Sequence, residues 1–158
     1  YADEFDNAWI DEFRPKLGLF NDEEKDFELI QKLFQWMENS KVDFTTTFRD
    51  LTYENLAENE IYKTPDFKVW LKLWRERLTR NTKPIKSTHD LMREKNPVIV
   101  PYNQFVEEAL STAEKGDMES FSSLLSALQN PFSLSKLNET YRNSPIHPSP
   151  NYQTFCGT

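Results

Sequence analysis

His89, His147 and Cys156 are the side chains of this sequence whose chemistry reaches furthest beyond packing, since imidazole and thiolate bind metals, move protons and attack electrophiles. A metal or general-base site needs ligands at short, regular spacings, or an orienting carboxylate close by, and neither histidine has such a neighbour in sequence. Both are read as structural or solvent-facing. Cys156, between Phe155 and Gly157, fits a buried apolar residue and a reachable thiol equally well. Asp3-Glu4-Asp6 and Asp22-Glu23-Glu24-Asp26 bring carboxylates together as a hard cation or an acid–base pair would need. Each run lies where a helix is expected to start, and the helix dipole favours acids there without any ligand, so both are read as helix-start acids. Three glycines in 158 residues leave no phosphate-cradling loop. The chain is therefore expected to carry no catalytic, cofactor-binding or metal-ligating residue of its own.

The formal charge of −7 argues against nucleic acid as the main partner. The charge is unevenly placed. Residues 1–60 hold 16 acids and 6 bases and residues 61–100 hold 4 and 10, so the middle is basic. Its Lys68, Lys72, Arg75 and Arg80 have the spacing of a solvated helix flank rather than of a phosphate site. No apolar run reaches the length of a membrane span and no basic-then-apolar leader opens the chain, so no membrane partner is expected. A start at Tyr1, without methionine and already in helical register, is what a piece of a longer protein would show. One cysteine makes no internal disulfide, and a cytoplasmic setting is expected.

Those residues must be held by helices, because glycine is scarce and the apolar positions repeat at helical spacing. Tyr1, Phe5, Trp9 and Phe13 recur every four residues, predicting an amphipathic helix kinked or ended at Pro15 and stopped by Gly18. Asn21 with Glu24 predicts a capping box opening a second helix, whose Phe27, Ile30, Leu33, Phe34 and Met37 face inward. Asp43 is placed to cap a short helix through Phe44, Phe48 and Leu51, and 52–63 read as an irregular turn and a loop. Thr64-Pro65-Asp66 starts the next helix, with Phe67, Trp70, Leu71, Trp74 and Leu78 on one face. Trp9, Trp36, Trp70 and Trp74 are read as core in what should be an aromatic-heavy interior. A short helix from Ser87 stops at Asn96-Pro97, and Val98-Ile99-Val100 is an extended link, too short for a sheet. Pro101 opens a helix with Phe105, Val106, Ala109, Leu110 and Ala113 inward. Gly116 ends it, and Asp117 caps another carrying Phe121, Leu124, Leu125 and Leu128, an antiparallel hairpin. One more turn is expected near Leu137 and Tyr141. The whole is an all-α fold of about six to seven helices in a single domain over 1–142, with an extended, proline-containing strap over 143–158.

Several motifs occur in one order: Lys16-Leu17-Gly18-Leu19-Phe20, Asp43 through Leu51, Trp70 to Leu78, Asn96-Pro97, Val100-Pro101-Tyr102-Asn103 and Ala113-Glu114-Lys115-Gly116-Asp117. The ending is Tyr152-Gln153-Thr154-Phe155-Cys156-Gly157-Thr158, an aromatic terminus of the kind that docks on helices. This order resembles the C-terminal end of the selenoprotein O family, kinase-like proteins that transfer AMP to other proteins. Asn96, Pro97, Asn103, Gly116 and Asp117 are the motif positions with structural roles. Tyr102 stands where the family commonly has arginine, and Gln104 where it often has histidine. The resemblance implies the C-terminal part of a protein-kinase-like fold. It also implies a parent that binds ATP with Mg2+ or Mn2+ and moves AMP onto Ser, Thr or Tyr hydroxyls of protein substrates. ATP, metal and catalytic aspartate belong to the preceding kinase-like core of the same chain, and none of their positions falls here. Some members carry selenocysteine near Cys156, which implies a redox role for that thiol. The competing reading is a free-standing helical module that binds a partner protein.

Overall fold

The computed structural model describes residues 2–143, with side chains from Ala8 onward, so His147, Cys156 and the strap lie outside the described residues. Those residues form eight α-helices and a single 3-10 turn, with no strand among them. They fall into two compact units that divide between Pro97 and Val98.

In the first unit, α1 (Ala2–Lys16) carries Pro15 in its last turn and closes one residue later. The stop is Gly18, at φ +72, with the Leu19 amide donating to the Arg14 carbonyl and the Gly18 amide to that of Pro15. That pairing satisfies the last carbonyls of the helix and needs a left-handed residue at this point. A side chain there would also collide with a neighbour: a Cβ on Gly18 would lie 2.4 Å from Thr88 Cγ2. α2 (Asp26–Ser40) begins later than the Asn21–Glu24 capping box would set it. Its N-cap is Lys25 without a side-chain bond, and the Asn21 side-chain oxygen is buried with no donor. The box does not form: Asn21 is held instead through its backbone carbonyl, which accepts from Arg77 of a distant helix.

α3 (Phe44–Thr52) is capped as its sequence predicts, Asp43 Oδ2 accepting from the Thr46 amide at 2.7 Å. A 3-10 turn, Glu60–Lys63, buries Tyr62, whose hydroxyl donates to Asp50 Oδ2 at 2.8 Å. α4 (Pro65–Leu78) starts where Thr64-Pro65 predicts, yet the Thr64 hydroxyl does not cap it. It donates to the Ile61 carbonyl and accepts from Trp36 Nε1 at 3.2 Å instead. α5 (Ile85–Lys95) begins two residues before Ser87 and completes the unit.

The interior of this unit is as aromatic as the composition implies: Trp36, Phe48, Tyr62, Phe67, Trp70 and Trp74 are buried with Leu17, Ile30, Leu33, Leu51 and Met92. Each buried indole also satisfies its N–H. Trp70 donates to the Leu29 carbonyl at 2.8 Å and Trp74 to that of Leu17 at 3.0 Å, so α4 is tied to α2 and to the end of α1.

The second unit opens with the extended Val98–Val100 segment, whose Val98 amide donates to the Pro131 carbonyl at 2.7 Å. α6 (Asn103–Glu114) starts two residues beyond Pro101 and pairs with α7 (Glu119–Leu128) as the expected hairpin. Gly116, at φ +90, makes the turn, and Asp117 Oδ1 accepts from the Glu119 amide. The hairpin contact is narrower than its apolar stripes. Ala109, Leu124 and Ala127 are buried, whereas Leu110 and Leu125, expected inward, are about half exposed. Small residues at the contact let the helices approach closely, and the flanking leucines are left outside it. α8 (Lys136–Tyr141) is the anticipated extra turn, organised by buried Asn138, which donates to the carbonyls of Asn130 and Ser133.

Candidate functional site

Two features of the first unit hold chemistry that simple packing does not need. The first is a charge cluster under α4. Asp26, fully buried at the start of α2, accepts from Arg77 Nε at 2.7 Å and from Arg14 Nε at 2.9 Å. The Glu23 amide donates to it as well, at 3.0 Å. Arg77 is itself 2% exposed and also donates to the Asn21 carbonyl. Above it, Arg80 pairs with Glu23 at 2.9 Å. Burial alone would raise the Asp26 carboxyl, but hydrogen bonds from Arg77, the Glu23 amide and Arg14 outweigh it and hold the group below the ordinary carboxylate range. Glu23 is lowered by its bond from Arg80. Every charge here has a counter-charge inside the cluster, so it works as a clasp joining α1, α2 and α4. Its one outward-turned cation, Arg80, is already committed to Glu23.

The second feature is an open groove of about 1010 Å³ between α2 and α4, with Trp9 of α1 at one side. Its floor is apolar: Trp36 and Trp70 are buried, while Val69 is 63% and Leu73 is 38% exposed. These two occupy a second apolar stripe on α4, beside the Phe67–Trp70–Trp74 stripe that faces the core. The rim is polar and acidic. Glu28, Glu38 and Asp66 stand against a single base, Lys32, which is paired with Glu28 at 2.7 Å. A triphosphate with its metal would meet an excess of carboxylates and no uncommitted arginine in the groove, so these residues do not fit ATP. Among the described residues, no group of three or more His, Cys, Asp or Glu side chains is placed to hold a metal ion. Apolar floor and charged rim suit a polypeptide segment.

The motif positions read from sequence fall at structural joints. Asn96 is buried, and its amide nitrogen donates to the Lys16 carbonyl at 2.8 Å and to Thr52 Oγ1 at 2.9 Å, tying the ends of α1 and α3 together. Pro97 ends the first unit, while Asn103 starts α6 and Gly116 with Asp117 forms the turn after it. His89 lies with Nδ1 3.4 Å from the Thr52 carbonyl, in contact with the same joint. Lys68, Lys72, Arg75 and Arg80 are exposed, as a solvated flank should be. The clasp was missed in sequence because Asp26 looks like any helix-start acid. The available signal was Arg77, a charged residue at the inward register of the Trp70–Trp74 stripe, which requires a buried counter-charge.

These features define a helical region built around a closed core and an open apolar groove. A family model described as Protein adenylyltransferase SelO matches residues 1–129, and the chain belongs to that family. It is similar to the protein nucleotidyltransferase YdiU of Clostridium botulinum (strain Eklund 17B / Type B), 42% identical over 159 residues. That match covers 100% of this chain and 32% of the relative. It is similar also to the protein nucleotidyltransferase YdiU of Bacillus mycoides (strain KBAB4), 43% identical over 160 residues and covering 33% of that protein. The chain spans about a third of the length of the curated relatives it matches.

Proposed function

We propose that this chain is the C-terminal helical part of a protein adenylyltransferase that moves AMP from ATP onto Ser, Thr or Tyr hydroxyls of target proteins. Its own role is to support the preceding kinase-like core, which holds ATP with Mg2+ or Mn2+. The observation that carries this reading is the family match over residues 1–129 of a chain whose acidic groove and self-paired arginines suit no nucleotide. A cytoplasmic protein, with neither nucleic acid nor membrane as partner, accords with its acidic charge; no described helix is long and apolar enough to cross a membrane. Transfer of labelled AMP is the direct test. The full-length protein should label protein targets, and residues 1–158 alone should not. Labelling above background by the purified 158-residue chain would overturn this division of labour.

Cys156 enters this reading as a redox position, on the strength of the family resemblance. In the full-length protein, Cys156→Ala should remove any difference in AMP transfer between oxidising and reducing buffers while keeping the reduced-state rate. A response to redox conditions that survives the substitution would leave this thiol without that role. The other reading, a helical module acting apart from any core, draws on the open groove. The relatives, about three times as long, favour a groove that serves the rest of the same protein.

A further inference from the structure

We propose that the groove between α2 and α4 is covered in the full-length protein by a segment of the same polypeptide outside residues 1–158, one with apolar side chains flanked by lysine or arginine. The inference deepens the supporting role argued above by naming the surface that carries it. Three observations lead to it. Val69 and Leu73 are exposed on a helix whose adjacent Phe67–Trp70–Trp74 stripe already fills the core, so they add little to the core of this unit. Their groove is open along the α2–α4 contact, with Trp36 and Trp70 as its floor and an acidic rim, a surface that an extended or helical polypeptide segment can lie on. About two thirds of the length of the relatives lies outside this chain, enough to supply the cover from within one molecule. A tethered segment is held at high effective concentration and needs little intrinsic affinity.

The rim sets the chemistry of that segment. Lys32 is committed to Glu28 at 2.7 Å, and among the described residues neither Glu38 nor Asp66 has an ion-pair partner. Carboxylates at the edge of a desolvated apolar contact call for bases opposite them. Uncharged or acidic cover would leave them facing an apolar edge or a like charge.

The test uses the full-length protein carrying Val69→Cys, a substitution at an exposed position that removes no core contact. Alkylation by a maleimide is followed by mass at that site, natively and in denaturant. A covered groove makes native labelling at least ten-fold slower than labelling of the unfolded chain, independent of protein concentration. Native labelling within a few-fold of the unfolded rate would overturn the proposal. Protection that vanishes on dilution would also overturn it, since the cover would then be a second molecule. Glu38→Lys adds the test of charge. Lysine in the last turn of α2 favours the helix dipole, so a merely structural position would gain or stay level. Under the proposal, labelling at position 69 rises several-fold in that variant, and an unchanged rate would overturn the basic character of the cover. A protein that labels slowly here yet transfers no AMP would sink the functional reading and leave this one standing.

Discussion

At Asp26 the energetics turn on pairing rather than on charge as such. Two arginines were brought under α4 at a large desolvation cost, and the carboxylate offsets it; removing that carboxylate leaves buried Arg77, 2% exposed, with only the longer 3.4 Å ion pair to partly exposed Glu23. Asp26→Asn should destabilise the folded chain by about 3 kcal/mol in urea titration, within the range for breaking a buried pair. A loss below about 1 kcal/mol would mean that the clasp is solvent-screened. The same residue sets a pH dependence. Its folded carboxyl lies below the unfolded value, so the stabilisation is complete above the unfolded range near pH 4 and drains away as pH falls through the lowered folded value. Wild type should therefore lose stability in acid more steeply than Asp26→Asn. Gly18 poses a different residue-scale problem, in which two penalties are separable. Gly18→Ala should cost about 2 kcal/mol, part from φ +72 and part from the 2.4 Å approach to Thr88 Cγ2. Adding Thr88→Ser deletes that methyl and keeps the hydroxyl that accepts from Asn81, so it should restore the clash part and leave about 1 kcal/mol. No recovery in the double variant would place the whole penalty in the backbone.

Elements are where sequence patterns did most and where their limits show. The stripe Phe67–Trp70–Trp74 buries as its period predicts, and Asp43 caps α3 through one local bond, because both depend on residues within a few turns of each other. Asn21 and Thr64 carry equally good local signals, and each is drawn to a distant partner instead: the Asn21 carbonyl to Arg77, and the Thr64 hydroxyl to Trp36. Asp26 and Arg77 are 51 residues apart, a separation that no local pattern encodes. Leu110 and Leu125 fail differently: their stripe is real, but it does not say which part of its width meets the partner helix. The groove was half-legible, since Val69 and Leu73 sit four apart on a second stripe of α4, while its walls come from α2 and α1. The end of α2 offers a prediction at this scale. Lys41 occupies φ +52, with its amide on Glu38 and that of Val42 on Met37, the bonds that end α1 at Gly18. A lysine pays there for a left-handed backbone that glycine adopts freely. Lys41→Gly should stabilise the chain by about 0.5–1 kcal/mol, less any added unfolded-state entropy. A measured loss would show that the entropy dominates.

Across the whole molecule the two units are unequally built, and their dynamics should follow. Among the described residues the first has fifteen buried apolar residues in one cluster, six of them aromatic, cross-tied by indole bonds and the Asp26 clasp. Among the described residues the second has five, Val98, Ile99, Ala109, Leu124 and Ala127, two of them alanines, and its helices are short. Apolar burial contributes roughly 25 cal/mol per Å², so small side chains supply little against the entropy of ordering a chain. Local opening free energy follows this density of buried contacts, and regions with few of them open without global unfolding. Amide exchange in α6–α8 should therefore run at least ten-fold faster than in α2 and α4 of the same sample. The comparison is internal, so it does not depend on the absolute stability of the chain. The Asp26→Asn variant sharpens it: exchange in α2 and α4 should accelerate, because the clasp belongs to their unit alone. Uniform protection across both units would instead mean that the chain opens only as a whole, and that the weaker unit draws its stability from contacts beyond its own core.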